Sequence, residues 1–310
     1  MNALGLLLAD EIRRDGPMRF SRFMEQCLYH PEHGYYRRDH FGRAGDFFTA
    51  EQMQPVFGRL AAQWIRQCAA ELGAGRPLVI ELGAGRREMA EAFSQFEYVP
   101  VEIDSGQFPA RFSGVVFSNE FFDALPVDLV ARTPRGPAER RVAMSGDRFV
   151  WAEGPPVQVE IPAEVEVVER QDTRVEWMHR IGRSMDSGHV ITIDYGFTTR
   201  ELVRFPQGTL MAYRGHRASD DVLATPGERD ITAHVDFTAL QEAGQESGLE
   251  TVRYESLASA LLRAGEQDEF AGALYTDDPA ESQRLRNQLK TLLFGMGETF
   301  RVLVQRKVQK

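Results

Sequence analysis

Hydrophobic residues recur at helical spacing through most of residues 1–75, and then the pattern changes. Short continuous apolar runs follow at 78–81, 99–102 and 115–119, the form taken by strands buried on both faces of a parallel sheet. From Val127 to about Trp151 hydrophobic and polar residues alternate around Pro134-Arg-Gly-Pro137 and Ser145-Gly-Asp147, which predicts an antiparallel hairpin set into that sheet. A helix is expected over about 164–184, ahead of a buried strand at His189–Tyr195. Residues 196–232 are rich in loop signals, and loops of that length are commonly functional. A helix at 235–247, a strand at 249–255, helices to about 294 and a closing strand from Thr299 to Val304 follow. The expectation is an α/β fold with a Rossmann-like, mostly parallel sheet and an antiparallel closing strand. A helical N-terminal region (1–75) precedes the sheet domain (76–310), which carries insertions at about 127–155 and 196–232.

The first apolar run, Leu78-Val-Ile-Glu-Leu-Gly-Ala-Gly85, ends in an acid and breaks into a Gly-x-Gly turn. Gly83 and Gly85 let the backbone turn tightly and approach a ligand without a Cβ in the way. Helical spacing from Arg87 to Phe96 completes a strand–turn–helix unit of the nucleotide-binding kind. Glu102 ends the next strand nineteen positions after Gly83, close to the ~20 expected of a carboxylate that grips ribose hydroxyls. A dinucleotide site would require a third glycine where Glu88 stands, and Glu88 would repel a pyrophosphate. Glu81 suits a cationic, amino-acid-bearing ligand such as S-adenosylmethionine, which carries a sulfonium, an ammonium and a ribose but no phosphate.

Composition narrows the function further. With 43% hydrophobic residues and both charge signs well represented, the chain is globular and long enough for a sizeable core. A formal net charge of −10 argues against nucleic acid as the main partner and favours basic protein partners. Cys27 and Cys68 read as buried thiols rather than a disulfide. No run reaches the ~18 apolar residues of a membrane span, and Leu4–Ala9 reads as the start of an amphipathic helix rather than a signal. A bacterial cytoplasmic location is therefore expected. His30 and His33 lack a clustered third ligand, so no metal is expected and both read as turn and packing residues. His216 and His234 read as structural, since nothing marks a nucleophile beside them. Asp194 closes a sheet strand where ligands gather in this architecture.

Four segments resemble the MidA-like family of S-adenosylmethionine-dependent methyltransferases, whose mitochondrial members methylate protein arginine and assist respiratory complex I assembly. They are Tyr29–Tyr36; Gly45-Asp-Phe-Phe-Thr49 running to Phe57-Gly58; Asn119–Pro126; and Gly208–His216 with Pro226-Gly227 and Asp230–Phe237. The resemblance implies a methyltransferase sheet, S-adenosyl-L-methionine as cofactor and a protein substrate, a respiratory-complex subunit. It implies nothing about oligomeric state. Asp46 is weighed evenly between a helix cap and a cofactor contact. Asn119-Glu-Phe-Phe-Asp123 follows a strand end and is the candidate for chemistry. Arginine is a cationic, poor nucleophile, so its methylation needs carboxylates that fix the guanidinium fork and help remove a proton. Glu120 and Asp123, with Asn119 beside them, are the expected set, against a plainer reading in which Asp123 caps the next turn.

Two departures from the family stand out. Arg87 occupies a position where relatives carry another glycine. Only twelve residues, 103–114, separate Glu102 from Val115, too few for a further crossover with its strand and helices. The adenine side of a cofactor pocket is therefore expected to be open or built differently, with Asp104 the nearest acid. An alternative follows, a binding or assembly protein that keeps the fold without turnover. A nicotinamide-dependent oxidoreductase is a third reading, opposed by Glu88 and the closing strand.

Overall fold

The computed structural model describes residues 1–37, 50–73, 75–102, 105–215 and 217–309. They fall into two units, one drawn from 1–48, 122–175 and 197–236, the other from 49–121, 176–196 and 237–310. The linear division expected at residue 75 gives way to this interleaved one for a packing reason. Helices α1 (Ala3–Asp15) and α2 (Phe20–Tyr29) bury Leu4, Leu8, Phe23 and Leu28 in the same core as Val127, Leu129 and Val142 of the first insertion. Helix α3 (Val56–Ala70) buries Val56, Phe57, Leu60 and Ile65 with Val79, Val115 and Phe117.

In the first unit, the insertion is larger than a hairpin. Its strands run in the order Met18–Arg19, Gly136–Ser145, Asp128–Thr133, Val167–Arg170, with Arg148–Pro156 also paired to Gly136–Ser145. The helix expected from 164 begins only at Asp172, because Val165 and Val168 pack against Val130 and Val167 packs in the core with Leu129, all stiff β-branched valines suited to a strand. The loop-rich excursion contains a three-stranded sheet ordered Arg217–Ser219, Met211–Arg214, Asp230–Thr232.

The second unit holds the expected sheet. Its strands are β1 (Leu78–Leu82), β2 (Glu97–Val101), β3 (Phe112–Asn119), β4 (Met185–Phe197), β5 (Glu250–Ser256) and β6 (Phe300–Lys307), in the order β5-β6-β4-β3-β1-β2. β1 is parallel to β2 and β3, and β3 to β4. β6 closes the sheet antiparallel to both β4 and β5. Among the described residues no strand lies beyond β2, in agreement with the short 103–114 segment. The helix expected from Arg87 to Phe96 shrinks to Ala90–Phe93, since Arg87 sits at φ 64, outside the helical region. Cys27 and Cys68 are free and buried.

Candidate functional site

β1 is flanked by β2 on one side and β3 on the other, so the strand order reverses there, the position at which open α/β sheets bind ligands beyond the carboxyl ends. The Gly-x-Gly turn leaves β1 at this point. Gly83 and Gly85 have φ of 70° and 50°, left-handed values that a side chain strains. The Gly83 N–H donates to Val101 O at 3.0 Å, and the Gly85 N–H donates to Glu102 Oε1 at 2.9 Å. Glu102 thus ties the turn to the end of β2. A Cβ on Gly83 would lie 3.1 Å from the Phe121 ring, which packs edge-on against Trp177 at 5.3 Å. Trp177 also meets Phe108, from the segment where the missing strand would be, at 5.9 Å.

Glu81 is 1% exposed. One of its oxygens accepts the Tyr98 hydroxyl, while Oε1 has no partner among the described residues. Burial pushes its carboxyl up to about 8, partly opposed by the Tyr98 hydrogen bond and reinforced by Glu88 and Glu102. Glu120 follows β3 in a left-handed conformation, φ 51°, its N–H donating to Ile193 O at 3.0 Å. That strained position re-aims the side chain, which accepts from Asn119 Nδ2 at 3.2 Å and from the Tyr195 hydroxyl at 3.5 Å. Asn119, 4% exposed, leaves Oδ1 without a partner among the described residues.

Sequence reasoning missed one group. Glu51 lies in a single 3-10 turn, Ala50–Gln52, and is 7% exposed with Oε1 unpartnered among the described residues. Burial, and then the negative fields of Glu81, Glu120, Glu88 and Glu102, hold its carboxyl well above the usual range. Its only sequence signal is an acid between apolar Ala50 and Met53, which marks nothing by itself. Five carboxylates therefore share this region, and the strongest charges acting on Glu51 are all negative.

The expected pair of Glu120 and Asp123 is divided between the two units. Asp123 faces the interior of the first unit, where burial pushes it up to about 6 against the opposing charge of Arg174. Arg174 is itself fully buried, donating to Gln171 Oε1 (2.8 Å) and to the carbonyls of His234 (2.7 Å), Ala233 (2.9 Å) and Asp123 (3.0 Å). His234 serves this network through its backbone. His30 Nδ1 accepts the Glu32 and His33 N–H groups at 3.2 Å each, a turn contact. Asp194 Oδ1 accepts the following Tyr195 N–H at 2.9 Å. Asp46, Asp104 and His216 lie outside the described residues.

Comparison with known proteins bears on this site. Residues 90–255 match a family described as "Putative S-adenosyl-L-methionine-dependent methyltransferase". A solved structure from Burkholderia thailandensis bound to S-adenosyl-homocysteine is 32% identical, with a TM-score of 0.85, covering 99% of this chain and 92% of that one. The mitochondrial protein arginine methyltransferase NDUFAF7 of Bos taurus is 28% identical over 94% of this chain and 81% of its own length. The Homo sapiens protein of the same name is 27% identical over 76% of this chain and 67% of its length.

Proposed function

The chain belongs to this family of S-adenosyl-L-methionine-dependent methyltransferases, and from that premise we propose that it methylates an arginine side chain of a protein substrate. The buried acceptors Glu81 Oε1 and Asn119 Oδ1, beside the left-handed turn at Gly83 and Gly85, fit the cationic amino-acid part of the cofactor. When bound, that group supplies an electrophilic methyl on a sulfonium. The remaining work falls to this chain's residues. Glu120, aimed by its left-handed backbone and its contacts with Asn119 and Tyr195, orients a guanidinium and draws off positive charge as a proton leaves. The rate comes chiefly from holding the reacting atoms in line at ~3–3.5 Å.

The observation that carries the reading is a cluster of carboxylates at a sheet switch point whose strongest fields are all negative. The arginine methyltransferase relatives support the choice of target, and the resemblance points to a respiratory-complex subunit as substrate. Replacing Glu120 by Gln is expected to reduce methyl transfer by ~10²-fold or more while S-adenosylhomocysteine still binds. Transfer at the wild-type rate would refute the role given to Glu120. A binding protein without turnover is the second reading, favoured by the sheet edge at β2. Cofactor binding with no transfer to any arginine peptide or candidate subunit would favour it.

A further inference from the structure

Alternation along each strand decides which side chains share a face at the carboxyl end of the parallel strands. Asn119 lies opposite Ile193 in the β3–β4 register, and Tyr195 lies opposite Phe300 in the β4–β6 register. Phe117, Ile191, Ile193, Phe300 and Val302 belong to the core packed by α3, so Asn119 and Tyr195 stand at the rim of that same face. Continued alternation would turn Glu120 to the other face. Its left-handed φ of 51° instead brings the carboxylate back, with Oε1 3.2 Å from Asn119 Nδ2 and Oε2 3.5 Å from the Tyr195 hydroxyl.

The phenol is itself held. Its ring lies 4.0 Å from that of Phe300, tilted by 36°, and Phe300 is the first residue of the antiparallel strand β6 and 1% exposed. Glu120 after β3, Tyr195 on β4 and Phe300 on β6 therefore form one side-chain series. A contact of 3.5 Å is at the long limit of a hydrogen bond and contributes little to the empty protein. A guanidinium changes its value. That planar fork places one nitrogen on each oxygen of a carboxylate. The nitrogen on Oε2 arrives beside the phenol oxygen, which can accept a further N–H while donating its own proton to Glu120. A lysine ammonium is a single atom and cannot put a nitrogen at both ends of the carboxylate. We propose that Tyr195, backed by Phe300, is a specificity-determining residue for the substrate arginine: it fixes the second oxygen of Glu120 and accepts one guanidinium N–H. The inference rests on the reading that Glu120 receives that guanidinium.

Methyl transfer from tritiated S-adenosylmethionine to proteins extracted from cells lacking this chain, read as methylarginine after acid hydrolysis, tests it. Wild type, Tyr195→Phe, Glu120→Gln and the double variant are compared, each with calorimetric titration by S-adenosylhomocysteine. Tyr195→Phe keeps the ring beside Phe300, and is expected to lower transfer ~10-fold, the size of a hydrogen bond to a charged group, with S-adenosylhomocysteine affinity unchanged. In the Glu120→Gln background the same change is expected to cost less than ~3-fold, because residues that act on one group are not additive. Transfer by Tyr195→Phe at the wild-type rate overturns the proposal. So does an equal loss in both backgrounds, which would mark a role apart from Glu120, or a parallel loss of S-adenosylhomocysteine affinity, which would mark a support of the pocket's shape. A fully active Glu120→Gln protein, or a wild type that forms no methylarginine, overturns the underlying reading instead, and neither result resembles the other three.

Discussion

A ligand-free Glu81→Gln protein should be more stable than wild type, and increasingly so as pH rises. Glu81 titrates at about 8 in the fold, against an ordinary value of 4.5, with burial the first cause. Between those limits the unfolded chain has released its proton while the folded chain keeps it. The unfolded state then binds fewer protons, so stability falls as pH rises through the window. Each pH unit inside it costs ~1.4 kcal/mol, and by pH 7 the loss is on the order of 3 kcal/mol. Glutamine does not titrate, and its side-chain oxygen can still accept the Tyr98 hydroxyl. Variant and wild type should therefore be nearly equal at pH 5 and diverge to on the order of 3 kcal/mol at pH 7, the variant being the more stable.

Urea unfolding at pH 5, 6, 7 and 8 provides the comparison, with hydrogen exchange of the β1 and β3 amides reporting on the unit that holds Glu81. The same variant should lose affinity for S-adenosylhomocysteine, because glutamine cannot supply the negative charge that a bound cation would draw onto position 81. A gain in stability that is constant with pH, or a loss at pH 8, would refute the claim that Glu81 is a desolvated carboxyl awaiting a cation.

The other expectations are narrower. Gly83→Ala should weaken S-adenosylhomocysteine binding and cost ~1–2 kcal/mol of stability, since the new Cβ sits at φ 70° and 3.1 Å from Phe121; unchanged calorimetric titration and melting would count against the tight turn. Arg174→Met should destabilise the first unit by ~3–5 kcal/mol, leaving three buried carbonyls without their donor. Urea unfolding checks it, and a loss under ~1 kcal/mol would mean that water replaces the guanidinium.

The parallel sheet was legible because β1, β3 and β4 are continuous apolar runs, and the turn was legible because Gly-x-Gly followed the first of them. The strand ends that carry Glu81 and Glu102 were also legible from that pattern. What periodicity could not convey was which elements share a core. The amphipathic stripes of α1–α2 and of α3 look alike in sequence, yet one faces the insertion and the other the sheet. Periodicity likewise said nothing of where Asp123 would be buried, which is with Arg174 in the first unit. It also hid Glu51, whose importance comes from burial beside acids more than 25 positions away in the chain.

The missing strand can now be weighed against the site it was expected to weaken. A strand beyond β2 would be two places from β1, where the switch point lies. The groups proposed for the cofactor's amino-acid end, Glu81 and Asn119, sit on β1 and β3, and neither depends on the lost neighbour. The short segment lies on the side reached by Glu102, where two features stand. Gly85 holds Glu102 in place through a backbone hydrogen bond, and the edge-on aromatic series Phe108–Trp177–Phe121 stands beside the glycine turn. Aromatic rings can cover a purine face without a dedicated acidic contact. Under the proposed function, the shortening bears on how the base would be held, and leaves in place the strand ends that carry Glu81 and Glu120.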